Sequence, residues 1–175
     1  IQLKLNNKKI TISEAAKTFP ATIIDNKTFS FTEAAPAFRR KILDRAVFLS
    51  DESYSANWFA YFRALKQRNK LVKDRQLASL EPLSEKLSSW GETLTDKRKI
   101  FFDQTKNEFS NIIESLNLKA EKIFINDIDV QYDQGWCNSQ DLISTLTLER
   151  DTDIRRKVTT RGPHKADIKI YIKNV

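Results

Sequence analysis

The chain of 175 residues is 40% hydrophobic, with eleven Phe and three Trp, enough apolar bulk for a packed core and too much for a disordered chain. One cysteine (Cys137) and one histidine (His164) exclude an internal disulfide and a Cys/His metal site, and no apolar run approaches the roughly 18 residues of a membrane span. The net charge of +7 is unevenly spread, at +2 over residues 1–35, +6 over 36–75, −7 over 76–154 and +6 over 155–173.

Two basic segments thus flank an acidic middle. Cationic segments attract phosphate backbones, and the alternative is an ordinary solvated surface. Ile1 begins no signal-peptide pattern and the chain contains no methionine, so an excised piece of a longer protein is expected. The single cysteine fits a reducing, cytoplasmic compartment, with no membrane contact.

In chain order, "IQLKL" and "KKITI" alternate like two strands around the turn Asn6-Asn7. Ser13 is placed to cap a short helix that runs to Phe19 and stops at Pro20. "ATIID" (21–25) reads as a buried strand, and from Glu33 the period turns helical, with Pro36 tolerated in the first turn. In "SANWFAYFRALKQRNKLVKDR" (55–75), Trp58, Tyr61, Phe62, Leu65 and Val72 fall on one helical face, with Arg63, Lys66, Lys70 and Lys73 as an adjoining basic stripe. Asn69 lies inside the apolar face, where its amide needs a partner, so an interhelical hydrogen bond is expected. A second apolar stripe runs from Leu83 through Leu94 and Phe109 to Leu116, about 50 Å of helix with Gly91 as a possible break. The short link around Leu77–Pro82 makes an antiparallel helical arm. "EKIFINDIDVQYD" (121–133) alternates as a strand, Asn138 is placed to cap a helix running to about Asp151, and "DIKIYI" (167–172) returns to β.

Few motifs carry chemistry. The three glycines, at 91, 135 and 162, cannot form a phosphate-cradling loop. "LSSWGE" (87–92) lacks the paired glycines of the L-S-G-G-E signature, and its Leu87 and Trp90 belong to the helical stripe. Asp127, Asp129 and Asp133 share a strand face where they could hold Mg²⁺, but no fourth ligand or general base accompanies them, and a solvated face is the simpler reading. No G-x-S-x-G element accompanies His164. Arg39 and Arg40 open a helix with Asp44 four to five residues on, which leaves two readings: an internal Arg–carboxylate pair or phosphate contact.

Three stretches, in this order, resemble the RecF family of bacterial DNA replication and repair proteins. "EAAPAFRRKILDRAVF" (33–48) resembles its G-x-P-x-x-R-R-x-F-L-D segment, with Ala34 and Ala35 in place of glycine and Ile42 in place of Phe. "RALKQRNKLV" (63–72) is similar to its L-K-Q-R-N helix at Leu65, Lys66, Gln67, Arg68 and Asn69. "GPHKADIKI" (162–170) is similar to its G-P-H-[RK]-[AD]-D-L segment, and "ERD" (149–151) adds weaker support.

The resemblance implies an α+β chain: part of an ABC-ATPase-like β/α core (1–50), an inserted antiparallel helical arm with a short β segment (51–154), and a return to the core (155–175). It places the Walker A loop before this part and the signature and Walker B motifs after it, so this chain resembles the family's central half and is not expected to be an enzyme alone. It further implies ATP and Mg²⁺ in the full-length protein, an ATP-dependent homodimer, action on single- and double-stranded DNA at gap junctions, and partnership with RecR and RecO in loading RecA in the nucleoid. Expected DNA contacts are Arg39, Arg40, Arg63, Lys66, Arg68, Lys70, Lys73, Arg161 and Lys165. His164, Lys165 and Asp167 are expected near the nucleotide or dimer interface, although a lone histidine in a tight turn also has a purely structural use. The acidic middle is a candidate for protein contact through Glu81, Glu85 and Glu92. The alternative function is a helical adaptor whose basic stripe is only solvated.

Overall fold

The structure, a computed structural model, describes residues 2–21, 30–115 and 128–172. Strands β1 (Leu3–Leu5) and β2 (Lys8–Ile10) pair antiparallel, Leu3 opposite Ile10. Asn6 and Asn7 both take positive φ (48° and 62°), the backbone of a two-residue hairpin turn that asparagine tolerates. Helix α1 (Ile12–Thr18) is capped by Thr11 rather than Ser13. The Thr11 hydroxyl accepts from the Glu14 amide, and Glu14 accepts in return from the Thr11 amide at 2.7 Å. This reciprocal capping box leaves Ser13 inside the first turn. Residues 22–25 of the expected strand lie outside the described residues.

Helix α2 (Ser30–Glu33) and helix α3 (Pro36–Ser50) are separate. Proline at the first position of α3 disfavours helical backbone at Ala35, which is extended (φ −61°, ψ 151°), so the helix does not run on from Glu33 as expected.

Helix α4 (Tyr54–Lys73) and helix α5 (Leu80–Ser115) are joined by a short connection holding a single 3₁₀ turn (Leu77–Ser79). Asn57 donates to the Trp90 carbonyl and Arg68 to Ser84, so partners descend along α5 as α4 ascends, and the pair is antiparallel. The 36 residues of α5 span about 54 Å. Gly91 does not break the helix: a β-carbon there would lie 2.5 Å from Leu142 and 3.1 Å from Tyr61, so its bare backbone lets neighbours approach.

Strand β3 (Ile128–Asp133) pairs antiparallel with β4 (Asp167–Ile172), Asp133 opposite Asp167. The expected strand segment 121–127 lies outside the described residues. Helix α6 (Leu142–Leu148) begins at Asp141, whose carboxylate accepts from the Ser144 amide at 2.8 Å. Asn138 is too early to cap it and sits in a turn closed by Gln140 N–H to Cys137 O. The helix also ends sooner than expected: Glu149, at ψ 2°, separates it from α7 (Arg150–Arg156). The core joins α3 (Leu43, Val47), α4 (Tyr61, Leu65), α5 (Leu87, Leu94) and α6 (Leu142, Leu146). Among the described residues no helix is both long and apolar enough to cross a membrane.

Candidate nucleic-acid interface

The segment 159–167, which contains "GPHKAD", is held to the helices by side chains from α3, α4, α5 and α7. Gly162 N–H donates to Gly135 O, and both glycines have positive φ (129° and 94°). A β-carbon on Gly135 would lie 2.3 Å from the Gly162 carbonyl oxygen. This close crossing of two backbones requires glycine there. His164 faces inward. Its Nε2 lies 2.9 Å from the Thr159 carbonyl, which can only accept, so Nε2 carries the proton and Nδ1 accepts from the Tyr61 hydroxyl at 2.8 Å. Burial pulls its pKa down to about 4, so the ring is neutral at neutral pH.

A second set of bonds runs through α4. Arg68 is 1% exposed, and its guanidinium donates to Asp153 on α7 (2.6 Å), Thr159 (2.7 Å) and Ser84 (3.0 Å). Asn69 accepts from both the amide and the hydroxyl of Thr159, so its partner is the loop rather than the expected facing helix. Asp153 also accepts from the Thr160 amide and hydroxyl. From α5, the buried Arg98 donates to Pro163 O (2.8 Å) and to Asp44 on α3 (2.8 Å), and Asp44 also accepts from Tyr54 and Trp58.

The expected site residues divide accordingly. Arg39 makes a two-pronged bond with Asp167 (2.7 and 2.9 Å) and donates to Ala34 O, while Arg40 donates to Ala166 O at 2.6 Å. For Arg39 the internal-pair reading therefore holds, with Asp167 in place of Asp44. Arg68 differs most from its expected role, because a cation enclosed this way has no face left for a phosphate. His164 and Asp167 likewise face protein partners.

Arg63, Lys66, Lys70 and Lys73 are exposed on α4 and form no ion pair with any described residue. No acidic residue occurs in α4. Arg161 reaches Glu149 at 3.3 Å but stays half exposed, and Lys165 is exposed. The turn between α4 and α5 forms a trough of about 410 Å³ with Lys70, Lys86, Gln67 and Gln76 on its walls, so α5 adds a cation that the stripe of α4 did not reveal.

The acidic candidates are also reassigned. Glu92 accepts from the Leu142 amide at 2.9 Å and so caps α6, whereas Glu81 and Glu85 are exposed. Asp129 meets Lys106 and Asp133 meets Lys169, Asp127 lies outside the described residues, and no acidic or Cys/His cluster among the described residues is arranged to hold a metal ion. The three glycines are packed against protein neighbours, so none of them opens a triphosphate cradle among the described residues.

No family model matches the chain. Among curated proteins it is similar to the DNA replication and repair protein RecF of Acinetobacter baumannii strain SDF, 33% identical over 96% of this chain and 46% of the relative. RecF of Shewanella piezotolerans is 29% identical over 98% of this chain and 47% of the relative. The chain thus spans about half the length of the curated relatives it matches. Two solved structures of the recombination mediator protein RecF in the RecFOR pathway, one of RecF–ATP and one of RecF–ATPrS, superpose with TM-scores of 0.80. They share 24% and 23% identity with this chain and match 98% of it and 48% of the solved chains. The fold is therefore that of about half of RecF, an α+β unit in which a long helix pair meets small antiparallel sheets.

Proposed function

We propose, from the resemblance to RecF along nearly the whole chain, that this is the central part of a RecF-like DNA repair ATPase and that it contacts DNA at the single-strand/double-strand junctions of gaps. The observation that carries the reading is the outer face of α4, where four cations stand exposed on a helix without a carboxylate. Such a face binds phosphates without regard to base sequence and loses affinity as salt rises. Arg161 and Lys165, at the rim of the pinned 159–167 segment, are the second proposed contact. Arg39, Arg40 and Arg68 act as internal ties.

In a protein of RecF length, ATP and Mg²⁺ would be bound by parts outside this chain, and the ATP-bound protein would dimerise. It would work with RecR and RecO to load RecA, in the cytoplasm at the nucleoid. Glu81 and Glu85 on α5 are the proposed protein-facing groups. Fluorescence anisotropy of this chain with single-stranded, duplex and gapped DNA tests the reading. Micromolar binding that favours the gapped substrate is expected. Absence of binding to all three would leave the basic face as solvated surface and favour an adaptor.

A further inference from the structure

The outer face of α4 carries more than charge. At 100° per residue, Phe59 falls on the same line as Arg63, Lys66, Lys70 and Lys73, all within about 40° of it. The line is about 21 Å long at 1.5 Å per residue. Phe59 is 62% exposed, and Trp58 meets its ring edge to face at a centroid distance of 5.3 Å. A cleft of about 280 Å³ opens beside the ring, walled by Phe48, Tyr54, Trp58 and Phe59. Asp44, the one carboxylate lining that cleft, is already engaged by Arg98, Tyr54 and Trp58.

An aromatic ring at the head of a cationic track is a combination with a specific use. Bases inside a duplex are stacked on their neighbours and present only edges to a protein. An unpaired base offers a face, and stacking on an aromatic side chain is how single strands are held without sequence preference. We infer that Phe59 selects single-stranded over duplex nucleic acid on this helix. It stacks an unpaired base, and Arg63, Lys66, Lys70 and Lys73 follow the phosphates beyond it. The inference rests on the proposed DNA contact by α4 and adds the residue that tells strand from duplex. An acidic peptide would match the cations equally, which makes it an outcome that the test must separate.

The test uses the whole chain with a single-stranded oligonucleotide carrying 2-aminopurine, and with the duplex of the same sequence. Phe59→Ala is compared with Phe59→Trp and with the double variant Lys66→Glu, Lys70→Glu. Phe59→Ala should weaken single-strand binding about 10- to 100-fold, leave duplex binding within about twofold, and abolish the 2-aminopurine signal change, while Phe59→Trp restores both the single-strand affinity and the signal. Urea midpoints for the Phe59 variants should match the parent, since the ring is exposed. Single-strand binding that survives Phe59→Ala but is lost on charge reversal overturns the role of Phe59 and leaves the DNA reading intact. Equal weakening on strand and duplex also overturns it, because the ring would then shape the face rather than select. Duplex binding that is lost on charge reversal, with no single-strand binding, overturns the inference and leaves the α4 reading intact. If neither strand nor duplex binds, or binding survives every variant, both the inference and the α4 reading fall, and an acidic protein partner takes their place.

Discussion

His164 is neutral because it is enclosed, and that has a consequence for stability. With its pKa held at about 4 in the fold against an ordinary 6.5, the unfolded chain takes up the proton first as pH falls. The contribution is fully present above about pH 6.5 and is lost progressively toward pH 4. From about pH 7 to about pH 5 the loss is about 2 kcal/mol. Urea unfolding at those two pH values should show the parent losing that much more than His164→Gln. An equal loss in both would mean that the ring is not held neutral. Gly135, packed against the backbone of Gly162, Lys165 and Ala166, is as constrained. Gly135→Ala must place a β-carbon against the Gly162 carbonyl at φ 94°, and a cost of about 3 kcal/mol or more is expected in the same unfolding experiment.

A single helix can present a tie and a binding face at once, and α4 does so within five residues. Lys66 and Lys70 point to solvent, while Arg68 between them is closed off by Asp153, Thr159 and Ser84. Arg68→Ala leaves Asp153 buried without its cation and should cost about 3–5 kcal/mol, whereas Lys66→Ala should change stability by no more than about 0.5 kcal/mol. Urea denaturation of the two variants side by side checks the contrast. The helical period made most of this legible from sequence alone. Tyr61, Leu65 and Val72 marked the buried face, and the antiparallel arm followed from two stripes and a short link. The same period put Arg68 within about 40° of both Tyr61 and Val72, at the edge of the apolar stripe, and that angular position was the signal that it belonged inside. Residue type outweighed it. Other features depended on contacts between residues far apart in the chain, which local spacing does not encode. Arg39 finds Asp167 across 128 positions and Arg98 finds Pro163 across 65. Local chemistry also misplaced two caps, because Thr11 and Asp141 met the geometry before Ser13 or after Asn138.

Across the described residues, the buried cations Arg68 and Arg98 tie the pinned segment to the helix pair, while Arg63, Lys66, Lys70 and Lys73 stand exposed on the outer face of α4. The uneven charge was visible in the sequence, but its division into ties and free groups was not. That division is what makes the DNA reading specific: reversal of charge on α4 should remove binding without unfolding the protein. The decisive measurement is the salt dependence of anisotropy on gapped DNA, for the parent chain and for Lys66→Glu with Lys70→Glu. If four α4 cations each release a counterion from single-stranded phosphates, log K should fall against log salt with a slope of about −3. In the double variant the slope should be roughly halved or binding should vanish, with an unchanged urea midpoint. A double variant that binds with the parent's affinity and slope would contradict the account, because the outer face of α4 would then have no part in holding DNA.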